Sequence, residues 1–505
     1  MTLKELRISK GLNQAQCASY LGMSTRNYQN YENDDKMVNT SKYHYIYNKL
    51  SHYSDDNLLY ETNHNFYYNT FNTSVILKDN LISIIGSVSK LKKRFCFKSI
   101  EKYLKEQYLG KVCILYGLRR TGKTTLLFQT ISSLPLDEVA YIKVRTNNNM
   151  SHVIKDLEKL NALGIKYVFI DEITLLEDFI NTASVLSDVF SMMGMKIIIS
   201  GTDSLGFEMA NRNELYDRTI MIHTSYISFK EYSYILNIHD IDKYIEYGGT
   251  LKQENMNFDD PDSESEEVAF RDDESTRKYI DTSISRNIQH SLKYDSFGNY
   301  FNLLRKLYDE NELTNVINRV VQNLNHQFVL RVIEEKFKSH DLGSSKELLL
   351  HDYPKVTSTE LYEINEEEVI NRLKKLINVI DKENQKVQVT EDHLESIKKY
   401  LEMLDIIESV TEKYESSGIN TYHIITQPGM RYAITKALVY SLLQDDYFSN
   451  ISEVDKTYII NKILSDIKGR MLEDIVLLDK VKTLSKEYDV FKFKFDGGGE
   501  YDSKK

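Results

Sequence analysis

The stretch Lys111–Thr125, KVCILYGLRRTGKTT, constrains this chain more than any other. Four consecutive apolar residues, Val112, Cys113, Ile114 and Leu115, suit a strand buried on both faces, which is what a parallel sheet demands. The run stops at Gly117, and Gly122 closes a GxxxxGKT pattern just before a helix begins. Without side chains at those two points the backbone can curl so that successive N–H groups face one anion, and the following helix adds its positive end. The spacing predicts a phosphate-binding loop over Gly117, Leu118, Arg119, Arg120, Thr121, Gly122, Lys123, Thr124 and Thr125. Lys123 would reach the terminal phosphates, and the Thr124 hydroxyl would hold Mg²⁺.

Two further strands supply what such a loop needs. Lys166–Ile173, KYVFIDEI, ends in adjacent carboxylates at the edge where a parallel sheet places its ligands. Asp171 is the candidate metal acid, and Glu172 the candidate base that orients and deprotonates an attacking water. Lys196–Ser200, KIIIS, runs into Gly201, Thr202, Asp203 and Ser204, with Thr202 and Asp203 as candidate groups that feel a terminal phosphate. Arg119 and Arg120 in the loop, and Arg218 before the last strand, are candidates for stabilising charge in the transition state. Strands over Val112–Tyr116, Val139–Val144, Tyr167–Ile170, Lys196–Ser200 and Thr219–His223, with helical patterns between them, predict an α/β core. Its sheet would be parallel, with helices on both sides.

The length of 505 residues implies several domains. Lys and Arg number 64 against 75 Asp and Glu, a net charge of -11, which excludes a generally basic nucleic-acid coat and confines any such contact to a local surface. Cys17, Cys96 and Cys113 are far apart, so neither a disulfide framework nor a zinc site is suggested, and a reducing cytoplasm is expected. The N-terminus is charged where a signal peptide would be apolar, and no apolar run long enough to span a membrane comes after it.

Residues 2 to 33 read as three short helices, Leu3–Ser9, Gln14–Tyr20 and Thr25–Glu32, with Asn13 and Ser24 as N-caps. Leu3, Leu6, Ala15, Ala18, Leu21, Met23, Tyr28 and Tyr31 would form their core. The segment NQAQCASYLGMSTRNYQNYEN resembles the phage-repressor (Xre-type) helix-turn-helix. By that resemblance Gln14 would touch a phosphate, and Thr25, Arg26, Asn27, Gln29 and Asn30 would face the major groove of double-stranded DNA. The charges of this region leave it mildly basic within an acidic chain, as a local DNA footprint requires. A further helix is expected over 41–53, then a linker. The run Lys90-Leu-Lys-Lys-Arg94 reads as a solvated helix face.

GLRRTGKTT, YVFIDEI, IIISGTDS, ELYDRTIMIHTSYISFKEY and YIEYGGTL together resemble a family of prokaryotic P-loop ATPases. In that family an AAA-type core precedes a helical and winged-helix region and a restriction-endonuclease-like C-terminal module. The resemblance implies ATP and Mg²⁺ as cofactors. It divides the chain into a helix-turn-helix domain at 1–60, a linker at 61–84, an ATPase core at 85–235 and a helical region at 236–345. Within the last, 258–275 is an acidic insert. A winged helix at 346–440 and a nuclease-like module at 441–505 complete the chain. In the last module Glu473 on a helix and Asp502 on a strand match the front half of a nuclease site. The acid-x-lysine strand that would complete it does not appear before Lys505, so nuclease activity is not expected.

The function expected is an ATP-hydrolysing, DNA-directed switch in the cytoplasm. Its partners would be duplex DNA, through the N-terminal helices, and a protein or further copies of the chain, with no membrane involved. Two alternatives stand beside it: a DNA-processing or defence ATPase, and a protein-remodelling ATPase whose N-terminal helices bind protein.

Overall fold

The computed structural model describes residues 2–33, 71–251, 270–285, 299–337, 390–444, 453–495 and 500–501, less isolated positions within them, and a few single residues elsewhere. The chain divides into two compact units, Met1–Val75 and Ile76–Lys505.

The first unit contains α1 (Leu3–Ser9), α2 (Gln14–Tyr20) and α3 (Thr25–Asn33). Each start has a local cause. Thr2 and Glu5 exchange bonds in a capping box at α1, and Asn13 and Gln16 do the same ahead of α2, at 2.8 Å in each direction. Leu3, Leu6, Leu12, Cys17, Ala18, Leu21 and Tyr28 form the core, joined by Tyr43, Ile46 and Leu50. Ala15, expected inside, is exposed, and Cys17 fills that face of α2 instead. The expected Ser24 cap, most of the linker and most of the expected helix over 41–53 lie outside the described residues.

The second unit is built on a six-stranded sheet of order β1-β3-β4-β5-β2-β6. The strands are β1 (Ser74–Leu77), β2 (Val112–Tyr116), β3 (Val139–Lys143), β4 (Tyr167–Asp171), β5 (Lys196–Gly201) and β6 (Thr219–His223). The pairs β3–β4, β4–β5, β5–β2 and β2–β6 are all parallel. Residues 112–115 are fully buried, as a strand covered on both faces requires. On one face Cys113, Leu115, Tyr141, Phe169 and Ile198 pack with the helices Asp79–Val88, Phe97–Lys105 and Lys123–Ile131. On the other, Tyr116 and Phe179 lie 6.2 and 5.6 Å from the ring of Phe207, on the helix Ser204–Arg212. The chain leaves β2 toward β4 and β3 and returns through β5, so β2 sits where the winding reverses, and its C-terminal end opens onto a crevice.

The run 90–94 is not a helix face. The helix before it ends at Val88 and the next begins at Phe97, so the run lies in the connection between them. Four of its residues are exposed, but Arg94 is buried.

Beyond β6, the helices Leu313–Phe337, Pro428–Leu442 and Glu453–Leu484 share an apolar core around Val329, Ile333, Val439 and Ile467. A second sheet has the order β10-β9-β7-β8, with β7 (Ile407–Tyr414), β8 (Ile419–Ile425), β9 (Phe491–Lys494) and β10 (Glu500–Tyr501). Strand β7 pairs with both β8 and β9. The expected boundary between a winged helix ending at 440 and a separate module beginning at 441 is therefore corrected: one sheet draws its strands from both sides of it. The cause is non-local pairing, which no local pattern announces. Most of the acidic insert, the first expected helix of the winged region and Asp502 lie outside the described residues.

Candidate nucleotide site

The loop after β2 is shaped by its glycines. Gly117 has φ +142, and a Cβ there would stand 2.5 Å from both the carbonyl and the hydroxyl oxygen of Thr224. Gly122, at φ +84, begins the helix Lys123–Ile131. Thr121 is buried, and its hydroxyl meets the Leu118 carbonyl and the Thr224 hydroxyl, each at 2.8 Å. The loop is also held from outside. Leu251 N–H donates to the Arg120 carbonyl at 2.8 Å, and the Tyr279 hydroxyl donates to that of Arg119 at 3.3 Å.

Lys123 is buried and folds back on its loop, donating to the carbonyls of Gly117 and Leu118 at 2.8 and 2.7 Å. Burial pushes its pKa down to about 8, against the opposing pull of Glu172 and Asp171. Thr124 donates to Asp171 Oδ2 at 3.0 Å.

Asp171 is fully buried at the end of β4. Tyr141 and Lys143 each donate to its Oδ2 at 2.8 Å, and Ser200 donates to Oδ1. Burial alone would raise this carboxyl, but Lys143 and the two hydroxyls more than offset that and hold its pKa below the usual value. Glu172 comes next at φ +61, a left-handed position that costs an ordinary side chain about 1–3 kcal/mol. Such strain in the residue after a buried acid is a mark of a functional site, and Glu172 is half-buried beside the loop.

Lys123, Thr124, Asp171 and Glu172 thus share the C-terminal edge of the sheet. Leu118 is buried, Thr125 half-buried, and the side chains of Arg119 and Arg120 are exposed at the loop. Thr202 and Asp203 are buried near the end of β5, where the Asp203 carboxylate accepts the Gly206 N–H at 2.9 Å and caps the next helix. The polar group of β5 that reaches the metal acid is Ser200, one residue before Gly201.

Arg218 is not part of this site. It precedes β6, at the N-terminal edge of the sheet, where its carbonyl accepts the Val112 N–H at 2.9 Å. A five-residue strand puts about 16 Å between the two edges. There Arg218 pairs with Asp188 at 3.2 Å and donates to the Glu214 carbonyl at 3.1 Å.

Sequence reasoning missed four residues. Tyr141 and Lys143 end β3, and their role comes from the pairing of Lys143 with Asp171 in the β3–β4 register. The other two are Arg94 and Glu231. Arg94 donates to both Glu231 oxygens, at 3.0 and 2.7 Å, and to the loop carbonyl of Thr121 at 2.9 Å. Both side chains are about 5% exposed or less, which separates this pair from an ordinary surface ion pair. Burial would raise the Glu231 carboxyl, and Arg94 with the Phe95 N–H holds it below the usual value. The signal available was an arginine and a glutamate in amphipathic surroundings, which does not distinguish a clamp from a surface charge.

In the first unit, Thr25, Arg26, Asn27 and Asn30 are exposed on α3, and Tyr28 is turned inward. Gln14 and Gln29 are joined to the interior. Gln29 donates to Gln14 at 2.9 Å, Gln14 donates to Glu32 at 2.8 Å, and Glu32 pairs with Arg7 at 2.7 Å.

The residues present fit a magnesium nucleotide. The loop has no room for a side chain at Gly117, its lysine is desolvated, and a hydroxyl and a carboxylate with a depressed pKa face each other at metal-bridging range. Comparison with known proteins agrees with this part of the chain. Residues 109–233 match the family model described as an AAA domain. The chain is 26% identical over 200 residues to the uncharacterized protein MJ1544 of Methanocaldococcus jannaschii, covering 36% of this chain and 44% of that protein. It therefore spans less than half the length of this relative. Among solved structures, the Orc1 protein of Aeropyrum pernix in complex with DNA is similar at 15% identity over 73% of this chain and 97% of that chain, with a TM-score of 0.24. The family match, the parallel sheet and the loop geometry together support an AAA-type P-loop ATPase for the segment 109–233.

Proposed function

We propose that this chain is a magnesium-dependent ATPase that works as a switch on duplex DNA. The observation that carries the reading is the buried Asp171, held toward Thr124 at 3.0 Å beside a loop that no side chain at Gly117 could enter. Magnesium ATP, when bound, supplies the phosphoryl group and part of the neutralising charge. Lys123 leaves the Gly117 and Leu118 carbonyls for the terminal phosphates. Thr124 and Asp171 hold the metal side, with Lys143 pulled aside from Asp171. Glu172 orients the attacking water and accepts its proton, and Thr202, Asp203 and the exposed Arg119 and Arg120 lie within the reach of a bound nucleotide's polyphosphate. Lys123→Ala should weaken nucleotide binding strongly. Glu172→Gln should keep binding and stop turnover, and hydrolysis at the parent rate in Glu172→Gln would refute the assignment of the base.

The DNA part rests on the first unit, read as a helix-turn-helix. Its third helix exposes Thr25, Arg26, Asn27 and Asn30 while Gln14 and Gln29 are braced by Glu32, an arrangement that presents side chains to a groove at fixed positions. Binding should fall steeply with salt as phosphates are neutralised. Arg26→Ala should lose about 1–3 kcal/mol at one base position. Absence of duplex binding at low salt, with and without ATP, would favour a protein-directed ATPase instead.

A further inference from the structure

Helices Leu313–Phe337, Glu391–Met403, Pro428–Leu442 and Glu453–Leu484, together with β8, enclose a cavity of about 360 Å³ away from the loop after β2. Arg331, Lys398, Arg431 and Arg470 line it, and Asp474 is the one carboxylate among the described lining residues. Asp474 is engaged by Arg431 at 2.7 Å. Glu473, bonded to Arg470 at 2.7 Å, and Glu395, 3.1 Å from Lys398, are not in the lining. The wall itself is therefore cationic, inside a chain whose net charge is -11. Such a wall selects an anion.

Two observations narrow the anion. Tyr422 is 8% exposed, and its hydroxyl has no hydrogen-bond partner, although the Arg331 guanidinium lies over its ring at 4.8 Å. A buried hydroxyl left in that state calls for a ligand or a water to complete it. Asn323, Gln327 and Asn420 add side-chain amides, which offer donors and acceptors together, as the edge of a nucleobase does. The volume is at the lower end of small-ligand pockets, enough for a mononucleotide and too small for a folded strand.

We propose that this cavity binds a nucleoside monophosphate, with its phosphate on Arg331, Lys398 and Arg470 and its base among the amides and Tyr422. The site is separate from the loop after β2 and does not depend on the ATPase reading. It also has a physical route to that loop. The helix that carries Arg470 and Asp474 into the cavity continues to Leu477 and Leu478, which pack against Tyr226, and Lys482 donates to the Tyr226 carbonyl at 3.0 Å. Tyr226 lies two residues beyond Thr224, whose hydroxyl braces Thr121.

The test is calorimetric titration of the full-length Lys123→Ala chain, which removes the phosphate lysine of the first site, with AMP, GMP, CMP, UMP and inorganic phosphate. At least one monophosphate should bind at one site per chain, more tightly than phosphate. Tyr422→Phe and Lys398→Gln, with the melting temperature and circular dichroism of the parent, should each weaken it about tenfold. Three results would overturn the proposal: no binding of any monophosphate at millimolar concentration, binding indifferent to both substitutions, or phosphate binding as tightly as the nucleotides. Loss of ATP hydrolysis in any variant does not bear on it, so the two readings fail separately.

Discussion

Raising the pH through 8 should loosen nucleotide binding, and the size of the effect is set by one side chain. Burial holds Lys123 at about 8 in the free protein. Phosphate oxygens in place of the Gly117 and Leu118 carbonyls would favour the ammonium form, so the bound state keeps its proton to higher pH. At pH 9 about one tenth of the free protein carries the proton, and binding must first take one up. The association constant should therefore drop about tenfold for each pH unit above 8, about 1.4 kcal/mol per unit. A fluorescent ADP analogue titrated with Mg²⁺ between pH 7.5 and 9.5 measures this, and calorimetry at pH 9 in buffers of different ionisation heat should show uptake of about 0.9 proton per nucleotide bound. The change is not an unfolding artefact from this lysine. Its folded pKa lies below the ordinary lysine value of 10.5, so between those values the unfolded chain binds more protons and the lysine's contribution to stability rises with pH. Affinity constant from pH 7.5 to 9.5, in protein with an unchanged melting temperature, would refute the reasoning.

Other perturbations test the rest of the site. Arg94→Met leaves the Glu231 carboxylate buried without its cation and should cost about 3–5 kcal/mol in urea denaturation, and Arg94→Met with Glu231→Gln should cost clearly less. Equal losses in both would show that the pair does not act as a unit. Gly117→Ala places a Cβ 2.5 Å from two oxygens of Thr224; it should destabilise the chain by about 2–4 kcal/mol and abolish nucleotide binding. Parent-like binding would mean that the loop is not built around that glycine. Arg218→Ala should leave the hydrolysis rate within about twofold, since the residue stands at the far edge of the sheet. A large fall in rate would restore it to the reaction.

Much of the site can be read from sequence because its chemistry is local. The strand, the two glycines, Lys123 and Thr124 lie within one short segment. Asp171 and Glu172 end another apolar run whose side-chain types permit few other roles. The helices of the first unit and the five core strands are likewise written in residue periodicity, caps and breaks. They fall at the expected positions to within a residue or two.

What tertiary structure alone decides is which distant segments meet. Lys143 and Tyr141 reach Asp171 because β3 pairs with β4 in parallel register. Arg94 becomes a buried clamp because Glu231 arrives from 137 positions along the chain. Arg218, beside a core strand in sequence, is removed from the site because the full length of that strand lies between its N-terminal edge and the C-terminal edge where the nucleotide loop stands. The second sheet joins β7 to β9 across the long helix Glu453–Leu484. Periodicity and capping are short-range effects and are written in neighbouring residues. Strand order, register and the burial of a charge depend on contacts whose free energy exists only once the chain has closed its loops, and no single segment encodes them.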